Sequence, residues 1–167
     1  MMSDTALDAN MAKLRPILER IAATGVMHRI GGVDCPASDG RVFANHSPVD
    51  ESLICQVARG TAADIDAAAA AAKAAFPAWR DMEAAARKKI LHRIADGIVA
   101  RAEEIALAEC WDTGQALRFM SKAALRGAEN FRFFADKALS ARDGQHLPSP
   151  TLMNITTRVP IGPVGVI

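Results

Sequence analysis

The sequence predicts an α/β fold that is rich in helix and carries only short strands. Long stretches between residues 62 and 139 combine strong helix formers with apolar side chains at helical spacing. Residues 27–58 instead alternate short apolar runs with turn residues, which is typical of strands joined by tight turns. Residues 164–167 form an uncharged, β-prone run of the kind that parallel sheets bury on both faces. Because a parallel strand reaches its neighbour through a long crossover, we expect a β-α-β unit that this sequence begins and does not finish.

Four segments are predicted to be helical: residues 7–23, 62–76, 81–111 and 116–139. Thr61 and Asp64 have the spacing of a capping box at the start of the second segment. Pro77 is expected to end that segment, and Gly114 fits a left-handed stop after the third. The third segment is expected to be one helix or a close pair of helices.

Apolar residues recur at helical spacing in the last two helical segments, which predicts a buried face on each. The face of the third segment carries Ile90, Leu91, Ile94, Ile98 and Ile105. The face of the fourth carries Leu117, Met120, Ala124, Ala128, Phe131 and Phe133 or Phe134. Alanine is abundant, so the helices are expected to pack closely through small side chains. Strands are predicted at residues 27–30, 41–44, 53–58 and 152–159.

Composition restricts the class of protein. The chain has 167 residues, of which 20 are Lys or Arg and 19 are Asp or Glu, so its net charge is +1. This balance creates no long-range field for nucleic acid or an anionic membrane, and we expect neither as a partner. No apolar run approaches the roughly 20 residues that a membrane helix needs, and residues 1–10 show no secretory signal. Three cysteines without a C-x-x-C pair favour reduced thiols and a cytoplasmic location.

Eight short sequence segments occur in an order that resembles the N-terminal third of the aldehyde dehydrogenase superfamily. They are IGG at 30–32, PASDGRVF at 36–43, SPVD at 47–50, VARG at 57–60, AAFPAW at 74–79, ECWDTG at 109–114, NFRFFA at 130–135 and RVPIGPVGVI at 158–167. None of them is specific by itself, but their joint order over residues 26–167 carries the resemblance. Within the superfamily, the C-terminal part of this sequence resembles the enzymes that act on 5-carboxymethyl-2-hydroxymuconate semialdehyde and related ring-cleavage semialdehydes.

The resemblance implies a division of the chain into four parts. Residues 1–25 would be an N-terminal helical extension, and residues 26–150 the N-terminal part of the NAD(P)-binding domain. Residues 151–160 would be a strand of the oligomerisation arm, and residues 161–167 the first Rossmann-like strand, cut short. The intact protein would then bind NAD or NADP, oxidise a small aldehyde and form a homo-oligomer.

The resemblance also implies which residues bind ligands. Ile167 matches a strand end beside the nicotinamide cofactor, and Asp112 matches a carboxylate that binds a monovalent cation together with backbone carbonyls near Asn45 and His46. The alternative for Asp112 is that it caps the turn at Thr113-Gly114. In the family, the oxyanion-hole Asn, the cofactor Lys, the phosphate loop, the Glu base and the nucleophilic Cys all follow the position of Ile167. No catalytic residue is therefore expected in this chain.

Residues within the chain give little support for independent chemistry. Acids flank Cys110 and would raise its pKa, while Cys35 and Cys55 read as loop or packing residues. The four histidines lack metal-ligand spacing, and the glycines lack the spacing of a phosphate loop. Arg87 and its neighbours are expected on a solvated helix face.

Three hypotheses about function follow. The chain is the N-terminal fragment of an NAD(P)-dependent semialdehyde dehydrogenase, or it is a catalytically inactive truncated product that only associates with full-length subunits. The third, a free-standing helical protein, conflicts with the order of the matched segments and with an apolar strand edge at the chain end.

Overall fold

A computed structural model describes the backbone of residues 4–166 and the side chains of residues 6–166. The helices are α1 (Asp4–Thr24), α2 (Ala62–Asp81), α3 (Ala84–Ala100), α4 (Ala102–Thr113), α5 (Leu117–Met120) and α6 (Ala123–Lys137), followed by a 3-10 turn (Ala138–Ser140). The strands are β1 (His28–Ile30), β2 (Val33–Cys35), β3 (Val42–His46), β4 (Leu53–Ala58), β5 (His146–Leu147) and β6 (Asn154–Ile155). The predicted combination of long helices and short strands is confirmed.

The strands form three antiparallel pairs, β1–β2, β3–β4 and β5–β6. Val26 joins the first two pairs, because its backbone N–H donates to Gln56 at 2.9 Å and its carbonyl accepts from Ala58 at 2.8 Å. The short strand β2 was not predicted. Its three residues include the exposed Asp34, so the segment shows no apolar run.

Helix α2 begins with the predicted capping box. The Thr61 side chain accepts from the Asp64 backbone, and the Asp64 carboxylate accepts from the Thr61 backbone N–H at 2.8 Å. The prediction that Pro77 ends this helix is wrong, because α2 continues to Asp81. A proline inside a helix removes one hydrogen bond, and alanine-rich sequence around it sustains the helix. The guanidinium of Arg87 also donates to carbonyls at the end of α2.

The third and fourth predicted helical segments are each divided. Arg101 separates α3 from α4 with φ −114° and ψ 17°, so the third segment is the close pair of helices. The fourth is interrupted between α5 and α6, where the prediction of one helix is wrong. Gly114 ends α4 at φ 73°, which confirms the predicted left-handed stop. A Cβ at Gly114 would lie 3.2 Å from Pro48 Cγ, so the position is restricted by both conformation and space.

Small side chains fill the contact between α3 and α6, the most extensive helix contact of the molecule. Ala95, Ala128 and Ala135 are fully buried there. The predicted close packing through alanine is therefore confirmed. A second cluster forms where α1 meets α4, around Leu14, Ile17 and Leu107.

Many of the larger apolar side chains that were expected in the core are exposed. Ile94 and Ile105 are 41% and 36% exposed, and Phe133 and Phe134 are 56% and 64% exposed. The chain exposes 12279 Å², whereas a compact monomer of this mass exposes roughly 8,000 Å². Of the predicted faces, Met120, Ala124 and Ala128 are buried. Four further members are half-buried, namely Ile90, Leu91, Ile98 and Leu117.

The last part of the chain forms less strand than predicted. Within the predicted strand 152–159, only Asn154–Ile155 pairs, and its partner is His146–Leu147. Gly144 makes this pairing possible, because a Cβ there would lie 2.0 Å from the carbonyl oxygen of Thr156. Residues 161–166 have no strand pairing in the structure. A β-strand requires a second strand that forms backbone hydrogen bonds with it, and no described segment pairs with residues 161–166 in this way.

None of the helices within residues 4–166 combines the length and apolar character that a bilayer crossing requires.

We predict that Thr61→Ala destabilises the protein by about 1 kcal/mol, the usual cost of losing a helix N-cap. The measurement is the free energy of unfolding in denaturant. Thr151→Ala is the matched control, because Thr151 is exposed and lies outside the helices. Equal stability of the two variants would contradict a structural role for the capping box.

Candidate functional site

A groove of about 630 Å³ lies between α1, the β3–β4 hairpin and α4. Its walls are mainly apolar, and charged or amide side chains lie at its edges. The polar residues are Arg20, Asn45, Arg101, Glu104, Glu109 and Asp112. The groove contains Asp112, the predicted cation ligand, and it is therefore the candidate site.

Asp112 lies beside β3 and is exposed to solvent. Its Oδ1 accepts a hydrogen bond of 2.6 Å from Asn45 Nδ2, although the two residues are 67 positions apart. The alternative, in which Asp112 caps the turn, is wrong. The Thr113 hydroxyl makes those turn contacts instead, since it donates to the Glu109 carbonyl at 2.7 Å and accepts from the Gln115 backbone at 3.3 Å.

Ser47 holds the end of β3 against α4. Its side chain is almost completely buried, and its hydroxyl donates to the Trp111 carbonyl at 2.7 Å. The same oxygen accepts from the Val49 backbone N–H at 3.2 Å. This contact sets the distance between β3 and the last turn of α4, and so brings Asn45 to Asp112.

The carboxylate and amide at this point suit a monovalent cation better than a transition metal. Carboxylate and carbonyl oxygens are ligands for hard cations. Within the described part of the chain, no three His, Cys, Asp or Glu side chains come together as a metal-binding group. One carboxylate beside the backbone of β3 fits the expected ligand set in part, and Asn45 already occupies one of its oxygens.

The cysteines near the groove are poor nucleophiles. Burial raises the pKa of the Cys55 thiol, and the charge of Asp112 adds to this effect. Burial also raises the pKa of Cys110, with Glu109 as the smaller cause. The expected direction for Cys110 is confirmed, but burial outweighs the flanking acids. No cysteine is paired in a disulfide among the residues described.

The start of α2 offers no phosphate cradle, although Gly60 stands between β4 and this helix. The Asp64 carboxylate accepts from the backbone N–H groups of Thr61, at 2.8 Å, and Ser38, at 2.9 Å. An internal carboxylate therefore lies at the N-terminus of α2, where an anion would otherwise be favoured.

Two arginines bind Glu104 at the edge of the groove. Arg101 donates to both carboxylate oxygens, at 2.8 and 2.7 Å, and Arg20 of α1 also donates to Oε1. These bonds lower the pKa of Glu104 to about 2, with the Arg101 bonds as the largest cause and partial burial acting in the opposite direction. The cluster joins α1 to α4, and the sequence carried no signal for it because α1 and α4 are far apart in the chain.

The histidines do not assemble a site. His92 lies within 3.1 Å of Asp136, and His46 and His146 are exposed strand residues. His28 lies on β1, and its Nε2 is buried and lies 3.8 Å from Asp64. Ile167, the predicted cofactor contact, lies outside the described residues.

Residues 35–167 match the aldehyde dehydrogenase family. The chain belongs to this family. The prediction from the order of short segments is confirmed, including the likeness to semialdehyde dehydrogenases. Among curated relatives, 2-hydroxymuconic semialdehyde dehydrogenase of Pseudomonas sp. (strain CF600) is 37% identical over 148 residues, which cover 85% of this chain and 30% of the relative. Fluoroacetaldehyde dehydrogenase of Streptantibioticus cattleyicolor is 45% identical over 116 residues, or 69% of this chain and 23% of the relative.

Solved structures share the fold of this chain. HpcC from Thermus thermophilus superposes with a TM-score of 0.85 at 34% identity, over 90% of this chain and 30% of that one. PnpE in complex with nicotinamide adenine dinucleotide superposes with a TM-score of 0.71 at 37% identity, over 75% of this chain and 26% of that one. The chain thus spans about a third or less of the length of these relatives, and its elements are those of the N-terminal portion of the aldehyde dehydrogenase fold.

We predict a specific pH dependence for Glu104→Gln. The pKa of Glu104 is lowered in the folded state, so its ion pairs stabilise the protein fully above the ordinary pKa of a glutamate and progressively less as pH falls toward 2. The variant should be less stable than the native protein at pH 7, and this difference should shrink below about pH 4.5.

Denaturant unfolding at pH 7, 4 and 3 measures the effect. Glu103→Gln is the control, because the neighbouring carboxylate is exposed and bonds to Lys13. A stability difference for Glu104→Gln that stays constant with pH would contradict the role given to the carboxylate charge.

Proposed function

We propose that this chain is the N-terminal part of an NAD(P)-dependent aldehyde dehydrogenase that oxidises a semialdehyde of the hydroxymuconic type, formed in aromatic catabolism, to the carboxylate. The observation that carries this proposal is the 37% identity to a 2-hydroxymuconic semialdehyde dehydrogenase across 85% of the chain. A 2-aminomuconic semialdehyde dehydrogenase of Danio rerio, 36% identical over 140 residues, supports the same substrate class.

Aldehyde oxidation requires a thiolate that adds to the carbonyl, donors that hold the oxyanion, and a base that activates water. NAD or NADP, when bound, accepts the hydride. Burial disfavours the thiolates of Cys55 and Cys110, and the charges of Asp112 and Glu109 add to this effect. We therefore propose that residues outside this chain catalyse the aldehyde oxidation. The role proposed for this chain is to form part of the cofactor-binding domain.

We further propose that the intact protein acts in the cytoplasm as a homo-oligomer. The β5–β6 hairpin supports this proposal, since Leu147, Leu152, Met153 and Ile155 are all more than half exposed within it. An apolar strand edge is a surface on which another strand can pair. Small-molecule aldehydes remain the proposed substrates, with no nucleic acid or membrane partner.

The second candidate is an inactive product that associates with full-length subunits. The exposed apolar faces of α3 and α6 favour a protein that is completed by another polypeptide. Sequencing the gene beyond codon 167 decides between the candidates. A reading frame that continues into a Thr-Pro-Trp-Asn-like motif and a later Cys supports the dehydrogenase, and a stop codon supports the associating product.

We predict that the protein purified at full length reduces NAD or NADP with 2-hydroxymuconate semialdehyde, and that Cys110→Ser leaves kcat within about twofold. Loss of a nucleophile costs several orders of magnitude in rate, so the variant separates a packing cysteine from a catalytic one. The assay follows nicotinamide absorbance, with Cys35→Ser as control. Turnover abolished by Cys110→Ser alone would overturn the assignment, and absence of any aldehyde oxidation would overturn the proposed activity.

We predict that Asp112 supports binding of a monovalent cation. Asp112→Asn keeps an oxygen for the hydrogen bond from Asn45 but removes the negative charge. The native protein should melt at a higher temperature in KCl than in tetramethylammonium chloride of equal concentration, and the variant should lose this difference. Asp66→Asn, on the exposed surface of α2, should retain it. A native protein that melts equally in both salts would contradict cation binding.

A further inference from the structure

A second cleft, of about 240 Å³, shares no lining residue with the Asp112 groove. It is formed where the end of α2 meets the start of α3 and the chain around residues 141 and 158–160. Its lining combines two aromatic rings, Phe76 and Trp79, with four arginines, Arg80, Arg87, Arg142 and Arg158. No expectation from the sequence covered this combination, because its residues come from four separate stretches of the chain.

The charge in this cleft is unbalanced. Asp81 forms two hydrogen bonds of 2.7 Å with Arg80, so that pair is neutral. The charge of Asp81 also interacts with that of Arg142, but among the described residues no carboxylate forms an ion pair with Arg87, Arg142 or Arg158. Three arginines without an ion pair thus line one small space in a chain whose net charge is only +1.

Two of these arginines are held in place by neutral partners. Arg87 donates to the carbonyls of Trp79, at 3.4 Å, and Met82, and Arg142 donates to the carbonyl of Arg80. Arg87 is half-buried, so it has specific partners in addition to the solvent expected from the sequence. These bonds satisfy the free carbonyls at the end of α2 and offset the negative end of its dipole. They orient the two guanidinium groups without cancelling their charge.

Helix capping accounts for Arg87 and Arg142, but it does not account for Arg158. The Arg158 side chain is exposed and makes no hydrogen bond to any described residue. It lies next to Val159 and Pro160, which add apolar surface to the lining of the cleft. The guanidinium of Arg80 lies 5.7 Å from the centre of the Phe76 ring, so cationic and aromatic surfaces are adjacent.

We propose that this cleft binds a small organic anion, made of a carboxylate or phosphate head and a flat apolar body. Arginine binds both heads through paired hydrogen bonds. Arg158, Arg142 and Arg87 supply the charge, while Phe76 and Trp79 supply a surface for the apolar body. A bound anion also relieves the mutual repulsion of the three guanidinium groups. This proposal is independent of the aldehyde oxidation assigned to the rest of the protein.

Binding of phenyl phosphate and of benzoate to the full-length protein tests the proposal, measured by isothermal titration calorimetry at low salt. At least one of the two anions should bind saturably with one site per chain. The anion that binds shows whether the head is a phosphate or a carboxylate. Benzyl alcohol, which has the ring without the charge, should bind at least tenfold more weakly.

Arg158→Gln is the decisive variant, because Arg158 makes no hydrogen bond to any described residue that folding would lose. A hydrogen bond to a charged group contributes enough binding free energy that its loss should weaken the affinity of the protein for the anion roughly tenfold or more. Arg118→Gln is the matched control, since Arg118 is an exposed arginine over Phe119, outside the cleft. It makes the same change in net charge and should leave affinity unchanged.

Three results would overturn the proposal. These are no saturable binding of either anion, equal affinity in native protein and Arg158→Gln, and an equal loss in Arg118→Gln, which would show a general charge effect. Binding of an acidic glutamate peptide without binding of either small anion would also overturn it, and would assign the cleft to a protein partner.

Discussion

Alanine occupies the positions that α3 and α6 bury against each other, and the rest of the structure follows from this constraint. Ala95, Ala128 and Ala135 let the two helices approach closely, but each buries little apolar area. The larger side chains on the same helices, such as Ile94 and Phe134, remain exposed. The chain therefore has a well-defined arrangement of helices and a small core of its own.

Short-range features of this arrangement could be predicted from the sequence. The capping box of Thr61 and Asp64 and the left-handed stop at Gly114 depend on residues within one helical turn. Pro77 misled the prediction because a proline removes only one hydrogen bond of the helix, and the alanine-rich sequence around it sustains the helix. Arg87 donates from the next helix to carbonyls at the end of α2, and no local pattern reports such a contact.

The candidate sites depend on contacts between distant parts of the chain. Resemblance to the aldehyde dehydrogenase family identified Asp112 as a candidate ligand. Only the structure shows that Asn45 donates a hydrogen bond to Asp112 and that Ser47 donates one to the Trp111 carbonyl. The second cleft shows the same limit more strongly. Arg80, Arg142 and Arg158 each look like ordinary surface arginines in the sequence, and only the folded chain places them around one space.

The exposed apolar faces have a consequence for how the protein is made. A ribosome adds roughly 5–20 residues per second, so about 8–30 seconds pass while a chain of this length emerges. The helices described here are local structures that form far faster than that. Once they have emerged, Ile94, Phe133 and Phe134 face water, because no described residue covers them. Nascent chains with such surfaces are natural clients for chaperones that bind apolar helix surfaces.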